Sequence, residues 1–371
     1  MADDNRLPYE VVGNFHVHTV CSDGTGTYEQ IAQSAAGAGL DVLMFTDHNT
    51  WGDGRPGWYA YPSGERKLLT LVGEEVHDET LSPSVNHFLA LGADRPVHSY
   101  APHPQAVIDA VNRHGGAGFI AHPIERPVPV LGGGDTAFPW VDWDVTGFAG
   151  IEVWNYMSAF KSMLVTPLVA TLAALFPDLF VVAPVAGTLA LWDRLLATGR
   201  RVVGIGNADA HANVYQIGPV QRCVFPYPYL FAAVNTHLLL DAPLAADWAS
   251  AQSQVVNALQ AGHAFVAYDL AGCARGFRFV AAGRRSAAVM GDEMDFDGSL
   301  SLNATVPEPA TLRLLRDGRP VAQSDGRELT YRVRQPGVYR LEAYRFLRAA
   351  RPPRCIQRQA WILSNPIYVR G

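Results

Sequence analysis

The chain has 371 residues, 49% hydrophobic and 17% charged, which is enough apolar material for a large core or two domains and excludes a disordered or fibrous protein. Its net charge of −6 is uneven, with 17 Lys+Arg against 9 Asp+Glu from Arg275 onward and 12 against 26 before it. An acidic part able to hold cations is thus followed by an arginine-rich part with no dense basic stripe. This suits two parts that attract each other and argues against nucleic acid as the substrate.

Met1 to Arg6 are polar and acidic with no apolar run behind them, so the expected compartment is the cytoplasm. Cys21, Cys223, Cys273 and Cys355 lack disulfide or metal spacing and read as ordinary buried thiols.

In chain order, candidate strands are Val11 to Val17, Val42 to Phe45, Leu68 to Val72, Phe88 to Leu91, Ala117 to Ala121, Ile151 to Trp154 and Arg201 to Ile205. Helices fit between several of them. Thr27-Tyr28-Glu29-Gln30 has capping-box spacing before Ile31 to Ala38, and Gln105 to His114 stops at Gly115-Gly116. Leu189 to Thr198 and Gln252 to Ala261 read as two more. This alternation predicts an α/β fold with parallel strands.

Residues 162–177 and 179–192 are uncharged and mostly apolar, but Asp178 and Pro167, Pro177 and Pro184 break them. They read as a buried helix, a loop and a second helix, with an apolar flap over the substrate as the alternative. From about Arg275 the pattern changes to short segments of alternating hydrophobicity, with a hairpin turn at Asp317-Gly318. These predict a small β-sandwich packed on the first part, dividing the chain into 1–274 and 275–371.

Residue types that bind metals recur beside these strands. In Phe15-His16-Val17-His18 the two histidines project to the same face of an extended backbone and can grip one ion. Asp23 follows on a loop. His48 ends Thr46-Asp47-His48, Glu75 follows Leu71 to Glu74, His122 closes Phe119 to Ala121, and Asp209 and His211 follow Val202 to Gly206. Functional groups gather at the carboxyl ends of strands in barrel-like α/β folds. His87 instead precedes its strand, which must run antiparallel or present that end to the pocket. Asp47 suits a carboxylate that orients a ligating histidine, and Glu74 should face away from Glu75. Glu152 either lines the pocket or is a half-exposed strand carboxylate. His77, His98, His103, His114, His237 and His263 fit no motif and read as surface or packing residues.

Together these motifs resemble the PHP (polymerase and histidinol phosphatase) metallohydrolase family over roughly residues 11–270. Leu191 to Leu196, Ala258 to Gly262 and Trp361 to Val369 are similar to the branch that includes the carbaryl hydrolases. The resemblance implies a distorted seven-stranded (β/α) barrel and two or three divalent ions, Zn, Mn or Fe. Their ligands would be His16, His18, Asp23, His48, Glu75, His87, His122, Asp209 and His211. It further implies His16, His18 and Asp209 on one ion, Glu75 bridging to a second held by His87 and His122, and Asp23, His48 and His211 around a third. Ala208 departs from the serine usual before the aspartate. A water activated between ions would be the nucleophile, with Asp209 or His211 as the proton shuttle.

The leading expectation is a metal-dependent phosphoesterase acting on a small-molecule ester, with Arg126 and Arg222 as candidate phosphate-binding groups. The same machinery acting on a carboxylic ester or carbamate is the alternative, favoured by Trp51, Trp58, Tyr59 and Tyr61. A non-catalytic metal-binding accessory module ranks last, because all nine ligand positions are filled.

Overall fold

The computed structural model describes residues 7–52, 56–60, 64, 67–128, 130, 136–217, 220–284, 286–296, 298–348 and 356–371. Residues 1–6, Tyr61 and Cys355, on which expectations were placed, lie outside the described residues.

The first part carries β1 (Tyr9–Asn14), β2 (Val42–Phe45), β3 (Gly57–Ala60), β4 (Lys67–Val76), β5 (Phe88–Leu91), β6 (Ala117–Ile120), β7 (Gly150–Asn155) and β8 (Val203–Asn207). β2 lies parallel between β1 and β4, and β3 is antiparallel on β4. β5 runs antiparallel between β4 and β6, and β6, β7 and β8 are parallel. Beyond β8, Ala210 bridges to Val17, with His18 N donating to Ala210 O at 3.0 Å and Ala210 N to His16 O at 3.2 Å. The succession of pairings therefore returns to the continuation of β1. Because β5 is reversed, its start lies at the same end as the finishes of its neighbours, which brings His87 to the ligands contributed by the parallel strands.

The helices have the boundaries their caps dictate. α1 (Tyr28–Ala38) starts on a reciprocal box between Thr27 and Gln30 and ends at Gly39 with φ +88°. α2 (Pro104–Arg113) has proline in its first turn. α3 (Tyr156–Lys161) grows straight out of β7, because the Asn155 side chain accepts from Ser158 N. α4 (Pro167–Leu175) and α5 (Thr188–Leu196) follow, then the hairpin of β9 (Val214–Ile217) and β10 (Val220–Cys223). α6 (Tyr227–Phe231), β11 (Val234–Leu240), α7 (Trp248–Ala261) and β12 (Ala264–Tyr268) complete this part, β11 lying antiparallel between β1 and β12.

Two expectations are corrected. α4 is not a buried helix: only Ala173 and Ala174 are buried, while Leu168 is 70% exposed and Val165, Leu172 and Leu175 also face solvent. With no charged residue in its sequence, α4 is apolar all round, so its composition gave no clue to which side is covered. Cys21 and Cys273 are exposed rather than buried.

The remaining strands are β13 (Arg278–Ala282), β14 (Ala287–Val289), β15 (Glu293–Asp295), β16 (Ser301–Arg316), β17 (Arg319–Arg332), β18 (Gly337–Arg348), β19 (Ile356–Ser364) and β20 (Ile367–Arg370). β16 and β17 meet at Asp317-Gly318, both with positive φ, as a two-residue hairpin turn of the primed type requires. β19 pairs with both β18 and β12, so backbone hydrogen bonds join these strands to the first part. Charge adds to the junction: Arg275 reaches Asp41 at 2.6 Å, Arg278 reaches Glu10 at 2.7 Å, and Arg340 is bidentate to Asp193. The attraction expected from the uneven charge is thus made of particular pairs. Among the described residues no helix is long and apolar enough to cross a membrane.

Candidate metal centre

Glu75, buried near the end of β4, is the hub of a ring of histidines. Its Oε2 lies 3.0 Å from His16 Nε2, 3.1 Å from His18 Nε2 and 3.2 Å from His48 Nδ1. Its Oε1 lies 2.9 Å from both His87 Nδ1 and His122 Nε2. Asp209 Oδ1 stands 3.3 Å from His16 Nε2 and 3.4 Å from His18 Nε2. Asp23 Oδ1 is 3.1 Å from His211 Nε2, with the His18 and His211 rings stacked at 4.1 Å.

Four overlapping groups have mutually close ligand atoms: His16, His18 and Glu75; His16, His122 and Asp209; His48, Glu75 and His87; and His18, Asp23, His48 and His211. All nine residues singled out from the sequence fall within them. The partition differs from the one the resemblance implies, since His18 also joins the group around Asp23.

These residues fit divalent ions. Although they crowd Glu75, His16 Nε2, His18 Nε2 and His48 Nδ1 are buried without an aligned hydrogen-bond partner, which is costly unless something else meets their lone pairs. Ligands about 2.1 Å from one ion stand about 3.0–3.5 Å from each other, the range of separations found here. Imidazole and carboxylate donors without thiolate suit Zn, Mn or Fe(II).

Electrostatics agree. Burial would raise the Glu75 carboxyl, but His16, His48 and His87 and the hydrogen bond from His122 hold it well below the usual range. For Asp209, burial is likewise outweighed by His16, His211 and His18. Among the imidazoles burial wins at His87, which falls to about 4 despite Glu75. It loses at His18 and His122, both lifted to about 9, the former by Asp209 and Glu75 and the latter by Glu125 and Glu75. Both central carboxylates are thus in the ionised form that ligates.

The supporting groups were only partly foreseen. Glu152 is buried, not half-exposed, and its Oε1 lies 3.1 Å from His16 Nδ1. It also accepts from His122 N at 3.1 Å, Asn155 Nδ2 at 2.8 Å and Asn207 Nδ2 at 3.1 Å. Asp47, expected to orient a histidine, instead accepts from Thr19 N at 2.7 Å, Thr19 Oγ1 at 2.9 Å and Ser22 Oγ at 2.6 Å. It shapes the turn that carries Asp23. Gly24 lets that turn close, since a Cβ there would collide with the His18 carbonyl. Glu74 faces away, toward Val97 N and His98.

Two contributors had no motif to reveal them. The Tyr227 hydroxyl lies 2.8 Å from His18 O and 3.0 Å from His211 O, tying two ligand loops together. His77 stacks on His87 at 4.3 Å, and Ser84 Oγ lies between them, 3.1 Å from His77 Nδ1 and 2.9 Å from His87 Nε2. His122 and Asp209 have φ of +23° and +55°, unusual for side-chain-bearing residues and located where the ligands are presented.

A cavity of about 510 Å³ opens from this cluster, lined by Asp23, His48, Glu75, His87, His122, Asp209 and His211 and, farther out, by α3, α4 and residues 213–216. The substrate residues expected from the sequence are not on its wall. Trp51 lines a separate cavity with Trp248. Trp58 packs beside a core cluster away from the ligands, and Tyr59 packs against the main core. Arg126 is exposed, and Arg222 donates to Ala174 O at 2.8 Å, bracing the end of α4. Lys161, unforeseen, does line the cavity.

No family model matches the chain. A 40-residue stretch is 42% identical to the phosphoribosyl 1,2-cyclic phosphate 1,2-diphosphodiesterase of Eggerthella lenta, covering 11% of this chain and only 15% of that protein. Among solved structures, a two-domain protein from Bacteroides vulgatus containing a predicted PHP-like metal-dependent phosphoesterase is similar over 96% of this chain and 95% of its own, with 13% identity and a TM-score of 0.41. An amidohydrolase from Chromobacterium violaceum is similar over 58% of this chain and 92% of its own, with 14% identity and a TM-score of 0.29. None of these similarities is high enough to assign a family.

Proposed function

We propose that the chain is a metal-dependent hydrolase of the PHP type, and that its substrate is a small-molecule ester, foremost a phosphoester. The convergence of nine His, Asp and Glu side chains around Glu75 at the floor of a cavity carries this reading. On it, residues 1–274 form a distorted seven-stranded (β/α) barrel, residues 275–371 form an appended β-sandwich, and the protein acts in the cytoplasm.

Divalent ions held by these residues would supply an activated water and a positive charge that polarises the ester oxygen. The protein's part is to hold, orient and exchange protons. Glu152 fixes the His16 ring by accepting from Nδ1, which leaves Nε2 free to ligate. His211 Nδ1 donates to Asp209 O at 2.9 Å, so its Nε2 carries the lone pair. When no ion occupies Nε2, that lone pair, with Asp209 beside it on the cavity wall, is placed to take up the proton the water gives up and then pass it to the leaving group.

Cleavage of a carboxylic ester or carbamate by the same groups is the second reading, favoured by the apolar outer wall of the cavity. A silent binding module is disfavoured because no ligand position is lost.

The test is turnover of p-nitrophenyl phosphate, bis-p-nitrophenyl phosphate, an aryl acetate and an aryl carbamate by Mn- or Zn-loaded protein, with His16→Ala as control. Phosphate turnover lost in the control supports the leading reading, and acyl turnover alone supports the second. Absence of turnover on every member with metal bound favours the silent binding module.

A further inference from the structure

The cavity above the ligands is chemically two-sided. Its floor is the His, Asp and Glu cluster, with Phe138 stacked on His87 at its edge, whereas Phe160, Leu164, Ala170 and Ala174 present carbon on another wall. That wall is built from α3, α4 and their link, and α4 contributes no charged group.

Lys161 is the one Lys or Arg among the described lining residues. Its ammonium is already engaged, 2.9 and 3.1 Å from the two oxygens of Glu125 and 4.9 Å from the centre of the Phe138 ring. Glu125 is buried and also accepts from Phe138 N at 3.0 Å and from Ser158 Oγ. Each charge of the pair neutralises the other. A phosphomonoester dianion would find no further cationic side chain on this wall, and a charged distal group would lie against hydrocarbon.

We propose that the site selects esters bearing one bulky apolar substituent, neutral or singly charged overall, with that substituent seated against the α3–α4 wall. This rests on the hydrolase reading and goes beyond it by specifying the part of the substrate that does not react. The cavity volume, about 510 Å³, lies in the usual range for small-molecule sites and leaves room for an aromatic ring system beside the reacting group. Each methylene buried there strengthens binding roughly fourfold, so the preference should be easy to measure.

The test is calorimetric binding of monoanionic phosphinates to the Mn-loaded protein, comparing dimethylphosphinate with butyl(methyl)- and methyl(1-naphthyl)phosphinate. Affinity should rise along the series by about thirtyfold or more. Ala170→Glu puts a carboxylate on the wall and Ala170→Trp fills the space without charge. Each should reduce the naphthyl-to-methyl affinity ratio by about tenfold, with metal content by elemental analysis matching the parent. Equal affinity across the series, or a ratio unchanged in both variants, overturns the proposal while leaving the hydrolase reading intact. Failure of dimethylphosphinate itself to bind, together with absence of turnover on the ester panel, rejects the hydrolase reading and the proposal with it.

Discussion

Glu152 Oε1 lies 3.1 Å from His16 Nδ1 while Glu75 Oε2 lies 3.0 Å from Nε2, so one buried imidazole is held between two carboxylates. Glu75 faces the cluster and Glu152 stands behind it. Glu152→Gln keeps the shape but places an amide where four donors already converge. Metal affinity is expected to fall about 10- to 100-fold, the usual loss when a ligand's orienting carboxylate is removed. A competition titration with a chelating dye measures this. An unchanged affinity would mean that the His16 ring is oriented by packing alone.

The group of His18, Asp23, His48 and His211 should hold its ion most weakly. The Asp23 side chain is 54% exposed, whereas Glu75 and His16 are inaccessible, so water competes most for this group. Asp23→Ala should retain one fewer equivalent of metal than the parent after gel filtration, as read by elemental analysis. Loss of every equivalent would show that the groups bind as one cooperative unit, contrary to this view.

The ligands were legible because extended backbone and strand ends carry them: His16 and His18 lie two apart just past β1, and the others, Asp23 aside, stand beside the apolar runs that became β2, β4, β5, β6 and β8. The direction of β5 was not, since a four-residue apolar run reads the same both ways, and only its pairing with β4 and β6 explains His87. Glu152 looked ambiguous because its partners His122, Asn155 and Asn207 come from three different strand ends. Arg126 and Arg222 were plausible anion binders by residue type, but exposure of one and the Ala174 bond of the other are tertiary facts. The Lys161–Glu125 pair spans 36 residues and lies in no motif.

Stability should fall as pH rises from about 6.5 to about 9, through His237. This residue is buried on β11, with Nδ1 2.8 Å from Glu10 and Nε2 3.3 Å from Asp269. Burial opposes its protonation, but Asp269 and Glu10 outweigh that and raise the pKa to about 9. A raised folded-state pKa means that the stabilisation is complete below the unfolded value near 6.5 and disappears as pH passes the folded one. The slope should amount to roughly 2–3 kcal/mol over that window. Glu10 is lowered by the same contact, so the pair is counted once. Urea unfolding at several pH values, compared with His237→Gln, checks this, and identical slopes would remove His237 as the cause.

Arg340 should be the most damaging single truncation at the junction between β18 and α5. It is buried over the Trp192 ring at 5.4 Å, bidentate to Asp193 at 2.8 Å through both nitrogens, and 2.6 Å from Glu342. Glu342 is also buried and is shared with Arg313 and Tyr344. Replacing Arg340 by Ala strands carboxylate charge in a site from which water is excluded, and such losses cost about 3–5 kcal/mol. Arg340→Lys should recover little, because one ammonium cannot reproduce the planar fork that spans Asp193 and Glu342 and stacks on Trp192. Double replacement with Asp193→Asn should be less harmful than the sum of the single changes, since the second removes one of the stranded charges. A denaturant-unfolding cycle on these variants measures the coupling; strict additivity would show that Arg340 acts through its packing on Trp192 and not through its charge.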